Sequence, residues 1–160
     1  MLKDLLKTKL FPPPPRPNQV KRQALLEKFA QARQGGIACT LVSALAGFGK
    51  TTLVVDCARA SDLPFAWLSL DEGDNDLLRF WRYIDAALAS IDSRIGEGLR
   101  PALYESQAPA IQHIVTGLIN DIIGIEKELI LVVDDYHVIS NQAIHEGMTF
   151  LINHLPPAHR

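Results

Sequence analysis

The stretch ALAGFGKT, residues 44–51, decides the fold. It follows the apolar run IACTLVS, residues 37–43, and precedes a helical pattern. Gly47 and Gly49 allow a tight turn between the two elements, because glycine lacks the Cβ that obstructs positive φ angles. Backbone N–H groups at a helix start attract anions, and Lys50 adds a mobile positive charge. The stretch therefore predicts a strand–loop–helix unit that holds phosphate.

The same stretch matches the Walker A pattern of P-loop proteins, with Ala44 where the first glycine usually stands. Lys50 is expected to contact the β and γ phosphates of a nucleoside triphosphate. The Thr51 hydroxyl is expected to coordinate Mg²⁺, which keeps most of its other ligands as water and phosphate. The predicted phosphate-binding set is Gly47, Phe48, Gly49, Lys50, Thr51 and Thr52.

An acidic pair follows the most apolar short run of the chain. Residues 129–133, LILVV, lead into Asp134 and Asp135, which is the Walker B pattern. A buried parallel strand delivers such carboxylates to the sheet edge where open α/β sheets bind ligands. We expect Asp134 to hold Mg²⁺ and Asp135 to orient the attacking water, so that both act with Lys50 as catalytic residues. The alternative for Asp135 is a turn or helix-cap residue.

Strands alternate with helices along the chain. The predicted strands are 37–43, 65–70 and 129–133. The helical patterns lie at about 18–34, 51–60, 77–88, 111–122 and 144–152. This order predicts an α/β fold, with a parallel sheet flanked by helices, of the P-loop NTPase type.

The length of 160 residues suits one folded domain. Residues 12–15 are all proline, so we interpret 1–17 as an extended N-terminal arm and 18–160 as a partial P-loop ATPase domain. A net charge of −2 lacks the basic excess typical of domains that bind nucleic acid. No run reaches the roughly 18 apolar residues of a membrane span. These features predict a cytoplasmic protein without membrane contact.

Several blocks of the chain resemble, in order, the MalT-like, LuxR-type transcriptional regulators, which are bacterial signal-transduction ATPases of the STAND class. The blocks are TKLFPPPPRPNQVKR (8–22), LVSALAGFGKTTL (41–53), FAWLSLDEGDND with LLRFWRYIDAAL (65–88), LILVVDDYHVI (129–139) and FLINHLPPAHR (150–160). WLSLDEGDND and DDYHVI are the most telling, because generic P-loop patterns do not require them.

The resemblance implies a switch that is ADP-bound at rest and ATP-bound and oligomeric when an inducer binds, with slow ATPase activity at most. Inducer and DNA would be bound by domains that this chain lacks. In related proteins a segment before the P-loop covers the adenine, which makes Val20 and Arg22 adenine-pocket candidates. The alternative for these two residues is a helix start with a solvated arginine.

The resemblance also implies a sheet of five strands, of which this chain would hold about three. The strand between the P-loop strand and the Walker B strand is expected beyond Arg160. Both neighbouring strands would then have unpaired edges. We therefore expect the 160 residues alone to bind nucleotide weakly or to be poorly stable.

Two other functions stay open at this point. A small-molecule P-loop kinase would need an acceptor pocket and a lid arginine, and the sequence indicates no clear acceptor site. A nucleotide-binding interaction module would occupy the P-loop without turnover.

Overall fold

The structure is a computed structural model and describes residues 4–15, 20–104 and 110–156. Two strands are present, β1 (Phe65–Ser69) and β2 (Ile130–Asp134). The α-helices are α1 (Gln23–Gln34), α2 (Lys50–Ala60), α3 (Leu77–Ala89), α4 (Arg100–Tyr104), α5 (Ile111–Gly124) and α6 (Gln142–His154). Short 3-10 helices span Lys7–Leu10, Glu72–Asn75 and Tyr136–Val138.

β1 and β2 pair in parallel, with Ser69 opposite Asp134 at the carboxyl end of the ladder. The Leu70 N–H extends the pairing by donating to the Asp134 carbonyl at 3.1 Å. A parallel pair needs a long crossover between its strands, and here helices supply it. The prediction of an α/β fold with a parallel sheet flanked by helices is therefore confirmed.

Helices cover both faces of this sheet. Successive side chains of a strand point to opposite faces, and Trp67 and Val132 pack on one face against Val55 and Ala58 of α2. The other face carries the larger core, to which α3, α5 and α6 contribute. Its largest fully buried side chains are Leu68, Phe80, Trp81, Tyr83, Ile84, Leu88, Ile95, Leu103, Ile114, Leu118 and Ile144. Packing on two sides explains why both strands are apolar up to their last residues, Ser69 and Asp134.

The prediction of a strand at 37–43 is wrong. These residues have no regular secondary structure, and Leu41 is 86% exposed. An apolar run forms a strand only beside a neighbour, because its backbone N–H and C=O groups need partners across a ladder. β1 and β2 pair with each other, and no third strand joins them in the part of the chain that the structure describes. The sheet thus has two strands instead of about three.

The remaining elements follow their local signals, although α1 begins at Gln23, later than the predicted start at about 18. α3 begins after Asp76, whose carboxylate accepts the Arg79 N–H at 2.8 Å as an N-cap. α6 begins after Asn141, whose side chain accepts the Ala143 N–H at 3.0 Å. The predictions of helices at 77–88, 111–122 and 144–152 are confirmed, and β2 begins one residue later than predicted.

The N-terminal segment packs onto the fold. Residues 7–10 form a 3-10 helix, and Leu5 is buried in the larger core. Lys9 is also buried, with 7% of its surface exposed. The division between an arm and a domain at residue 17 stays a prediction, because 16–19 lie outside the described residues.

Within the described ranges, no helix has both the length and the apolar character that crossing a membrane requires.

Candidate functional site

The loop before α2 has the backbone that the glycines predicted. Gly47 has a φ of 82° and Gly49 a φ of 73°, both in the left-handed region that favours glycine. Gly49 is the N-cap of α2. The first N–H groups of a helix have no acceptor within the helix, so Lys50, Thr51 and Thr52 present theirs at this end. Backbone N–H groups of this kind, at the start of a helix, are suited to an anion.

Lys50 reaches back over this loop. Its ammonium donates to the Ala44 carbonyl at 2.7 Å and to the Leu45 carbonyl at 3.1 Å. The charge therefore lies at the mouth of the loop and not along the helix. A phosphate at the helix start would compete with two neutral carbonyls for this ammonium, and charge-assisted hydrogen bonds are the stronger kind.

Thr51 and Asp134 meet although 83 positions separate them in the chain: the Thr51 hydroxyl donates to Asp134 Oδ2 at 2.8 Å. Strand geometry explains the meeting. Asp134 has the same parity as Val132, whose side chain packs on the face that α2 covers. The last residue of β2 is thereby directed at the first turn of α2.

The oxygen pair of Thr51 and Asp134 suits a hard divalent cation. Mg²⁺ is usually held by one or two protein oxygens and completed by phosphate and water. Among the described residues, no group of three or more His, Cys, Asp or Glu side chains could enclose a metal ion. The donor set thus fits Mg²⁺ that arrives with a nucleotide better than it fits a metal held by protein alone.

Asp135 lies beside this pair but makes different contacts. Its backbone is left-handed, with a φ of 58°, which aspartate tolerates better than most residues do. Its carboxylate is 49% exposed and lies 3.8 Å from His137 Nδ1. The side chain is therefore open to solvent at the carboxyl edge of the sheet, and it also satisfies the alternative role of a turn residue.

Arg22 contacts the loop before α2, whereas Val20 is 81% exposed. The Arg22 guanidinium donates to the Phe48 carbonyl at 2.6 Å. It also lies 3.1 Å from the position that a Cβ on Gly49 would occupy. The structure thus brings one of the two adenine-pocket candidates to the loop. Phe48 itself is 60% exposed at the tip.

An ion cluster around the buried carboxylate of Asp74 was not predicted. Lys9 Nζ lies 2.6 Å from Asp71 Oδ2 and also contacts Asp74 Oδ2. Arg79 Nε binds the other oxygen of Asp74 at 3.1 Å. Both cations lie near the ring of Tyr83, at 5.1 and 5.8 Å from its centroid. Partners so far apart in sequence leave no local signal.

The electrostatics of this cluster agree with its geometry. Burial alone would lower the pKa of the Lys9 ammonium, but hydrogen bonds to Asp71 and Asp74 outweigh burial and raise it. The hydrogen bond from Lys9 lowers the pKa of the Asp71 carboxyl. The N-terminal segment is therefore fixed by charge to the loop that follows β1.

Curated relatives match nearly the whole chain. The HTH-type transcriptional regulator MalT of Klebsiella pneumoniae subsp. pneumoniae is 32% identical over 152 residues, which is 95% of this chain. The regulators of the same name from Cronobacter sakazakii and Yersinia pestis are 34% and 35% identical over the same length. This chain is MalT-like. The resemblance predicted from the sequence blocks is thereby confirmed.

The MalT-like region is a small part of such regulators. The chain covers 16% of the length of each of these three relatives. No protein-family model matches the chain.

Proposed function

We propose that this chain is the ATP-binding region of a MalT-type transcriptional regulator and has a P-loop NTPase fold. The single observation that carries the proposal is the 2.8 Å hydrogen bond between Thr51 and Asp134. It joins the Walker A loop to the Walker B strand through the two side chains expected to share Mg²⁺. The similarity to MalT regulators supports the regulatory context.

In this proposal each residue has a separate task. Lys50 leaves the carbonyls of Ala44 and Leu45 and binds the β and γ phosphates. The backbone N–H groups from Gly47 to Thr52 would donate hydrogen bonds to a bound phosphate. Thr51 and Asp134 hold the magnesium of MgATP, which neutralises charge on the phosphates when bound. Arg22 closes the loop from the side of the adenine.

Turnover is assigned to Asp135, whose exposed carboxylate would orient the attacking water. Slow hydrolysis to ADP makes the region a switch and not a metabolic enzyme. Inducer and DNA binding belong to the rest of the regulator, and ATP-dependent self-association would carry the signal. ATP, ADP and Mg²⁺ are the proposed ligands.

Replacing Lys50 with alanine should weaken ATP binding by about tenfold to hundredfold, because hydrogen bonds to a charged group contribute about 1.5–3 kcal/mol. Titration of a fluorescent ATP analogue into the full chain, with Mg²⁺ present, measures this change. Lys28→Ala is the matched control, since Lys28 is an exposed cation of α1 away from the loop. ATP affinity that Lys50→Ala leaves unchanged would refute the phosphate role of Lys50.

The acidic pair should separate magnesium binding from hydrolysis. Asp134→Asn keeps the side-chain shape but removes the charge, so the gain in ATP affinity on adding Mg²⁺ should shrink by about tenfold. Asp135→Asn keeps a residue that tolerates the left-handed backbone. It should leave affinity within about twofold and slow hydrolysis about a hundredfold.

Two assays of the full chain test the separate roles of Asp134 and Asp135. Binding is compared in Mg²⁺ and in EDTA, and phosphate release is followed at saturating ATP. If Asp134→Asn keeps the whole magnesium effect, Asp134 is not the metal ligand. If Asp135→Asn hydrolyses ATP at the wild-type rate, Asp135 is only the turn residue that its backbone angle permits.

A further inference from the structure

Asn75 joins the loop after β1 to the segment that follows the acidic pair. Its Oδ1 accepts the N–H groups of Ser140 at 2.7 Å and Asn141 at 3.1 Å, and the Ser140 hydroxyl at 3.2 Å. Its Nδ2 donates to the Val138 carbonyl at 3.0 Å. Asn141 returns a side-chain hydrogen bond to the Asn75 carbonyl at 2.8 Å. One amide thus satisfies several backbone groups about 65 positions away in the chain.

This contact lies at the far end of the segment that carries Asp135. The near end is fixed by the sheet, because Asp134 pairs opposite Ser69. Between the ends the chain takes a left-handed residue, Asp135, and a 3-10 helix, Tyr136–Val138. Asp135 therefore lies between two fixed points, the sheet at Asp134 and the Asn75 amide at 138–141.

Asn75 is itself held firmly. It ends the 3-10 helix Glu72–Asn75, which Asp71 and Asp74 close with reciprocal side-chain-to-backbone hydrogen bonds. Asp74 is fully buried and is paired with Lys9 and Arg79. A functional group keeps its orientation when the residues that support it are themselves fixed by packing and hydrogen bonds.

The helix that follows does not depend on this side chain. Asp76, and not Asn75, is the N-cap of α3. The amide of Asn75 is directed entirely at Val138, Ser140 and Asn141 and at the Glu72 carbonyl, which it reaches at 3.1 Å. Its contacts are thus those of a connector between two loops and not those of a helix cap.

We propose that Asn75 is a positioning residue: through Val138, Ser140 and Asn141 it sets the orientation of Asp135, and so the water side of the nucleotide site. The proposal rests on the proposed ATP-binding function. It concerns ATP hydrolysis and not phosphate binding, because Asn75 contacts neither Lys50 nor the loop before α2 in the described structure. Hydrolysis depends on Asn75, and phosphate binding does not.

Asn75→Ala in the full chain tests this separation. We expect kcat for ATP hydrolysis to fall about tenfold, with KM and the affinity measured in EDTA within about twofold of wild type. Hydrogen exchange of the Ser140 and Asn141 amides should quicken by about tenfold, the equivalent of one lost hydrogen bond. A merely destabilised fold would instead quicken exchange across α3 and α6 and weaken binding in EDTA.

Two variants serve as controls. Ser140→Ala removes only the hydroxyl contact and keeps both amide N–H groups on Asn75, so the slow exchange of these two amides should persist. Asn75→Asp keeps the acceptor for those N–H groups and loses the donor to Val138. It should restore the slow amide exchange and part of the lost kcat.

Unchanged exchange at Ser140 and Asn141 in Asn75→Ala overturns the proposal, as does wild-type hydrolysis or an equal loss of binding in EDTA. If the wild-type chain binds no nucleotide, the proposed function fails. The exchange rates then decide alone whether Asn75 holds the segment: a rise confined to 135–141 supports it, and no rise overturns it.

Discussion

Replacing Lys9 with alanine should lower the free energy of unfolding by about 4 kcal/mol, the range found when one partner of a buried ion pair is removed. Asp74 is fully buried, and Lys9 is one of its two cationic partners. Arg79 would remain, but its side chain is 43% exposed and it binds only the other carboxylate oxygen. The variant would therefore leave a buried carboxylate half compensated.

Urea unfolding of the full chain, followed by circular dichroism, measures this loss. Lys7→Ala is the matched control, because Lys7 belongs to the same 3-10 helix and is exposed. We expect the control to change stability by less than about 0.5 kcal/mol. Equal stability of the two variants would mean that the Lys9 pair adds nothing to the fold.

The effect of Lys9 should also depend on pH in a defined sense. The pKa of Asp71 is lowered in the folded state, so its contribution is present above the ordinary value of 3.8 and is lost as the pH falls through the lowered value. The pKa of Lys9 is raised, so its contribution is present below 10.5 and is lost as the pH rises through the raised value. The difference between wild type and Lys9→Ala should be greatest between these limits.

Replacing Gly96 with alanine should destabilise the fold by about 4 kcal/mol, because two costs add. Gly96 has a φ of 74°, which disfavours any residue with a Cβ. An added Cβ would lie 1.7 Å from Asp85 Oδ1, so the carboxylate would have to move. Asp85 is buried, which raises the pKa of its carboxyl, and Arg100 holds its other oxygen at 3.2 Å.

Gly98→Ala is the control for this substitution. Gly98 is two positions away, and a Cβ there would meet no heavy atom within 4 Å. Thermal unfolding of both variants should show a large loss for Gly96→Ala and almost none for Gly98→Ala. Similar melting temperatures would mean that the Asp85 pocket relaxes without cost.

The sequence predicts most elements because their signals are local. Asp76 and Asn141 accept N–H groups at helix starts, and each can be recognised from its own neighbourhood. LILVV indicates a buried strand with no knowledge of the rest of the chain. The run 37–43 carries the same local signal and forms no strand, because pairing depends on a neighbour that a local pattern cannot reveal.

The site divides in the same way. The spacing of motifs predicts that Thr51 and Asp134 meet, since parallel strands and the helix after the loop share one sheet edge. The connection made by Asn75 is visible only in the fold, which places Ser140 and Asn141 beside it. No sequence pattern predicts the burial of Lys9, because a single lysine in an N-terminal arm is expected to be exposed to solvent.

The two tryptophans of the chain lie in different layers, one on each side of the sheet. Trp67 packs under α2, the helix that begins at Lys50, and its indole N–H donates to Ser69, which is opposite Asp134. Trp81 belongs to the core shared by α3 and α6. Each layer thus carries its own fluorophore. Trp81→Phe leaves an emission that senses the phosphate-loop side, and Trp67→Phe leaves one that senses the helical core.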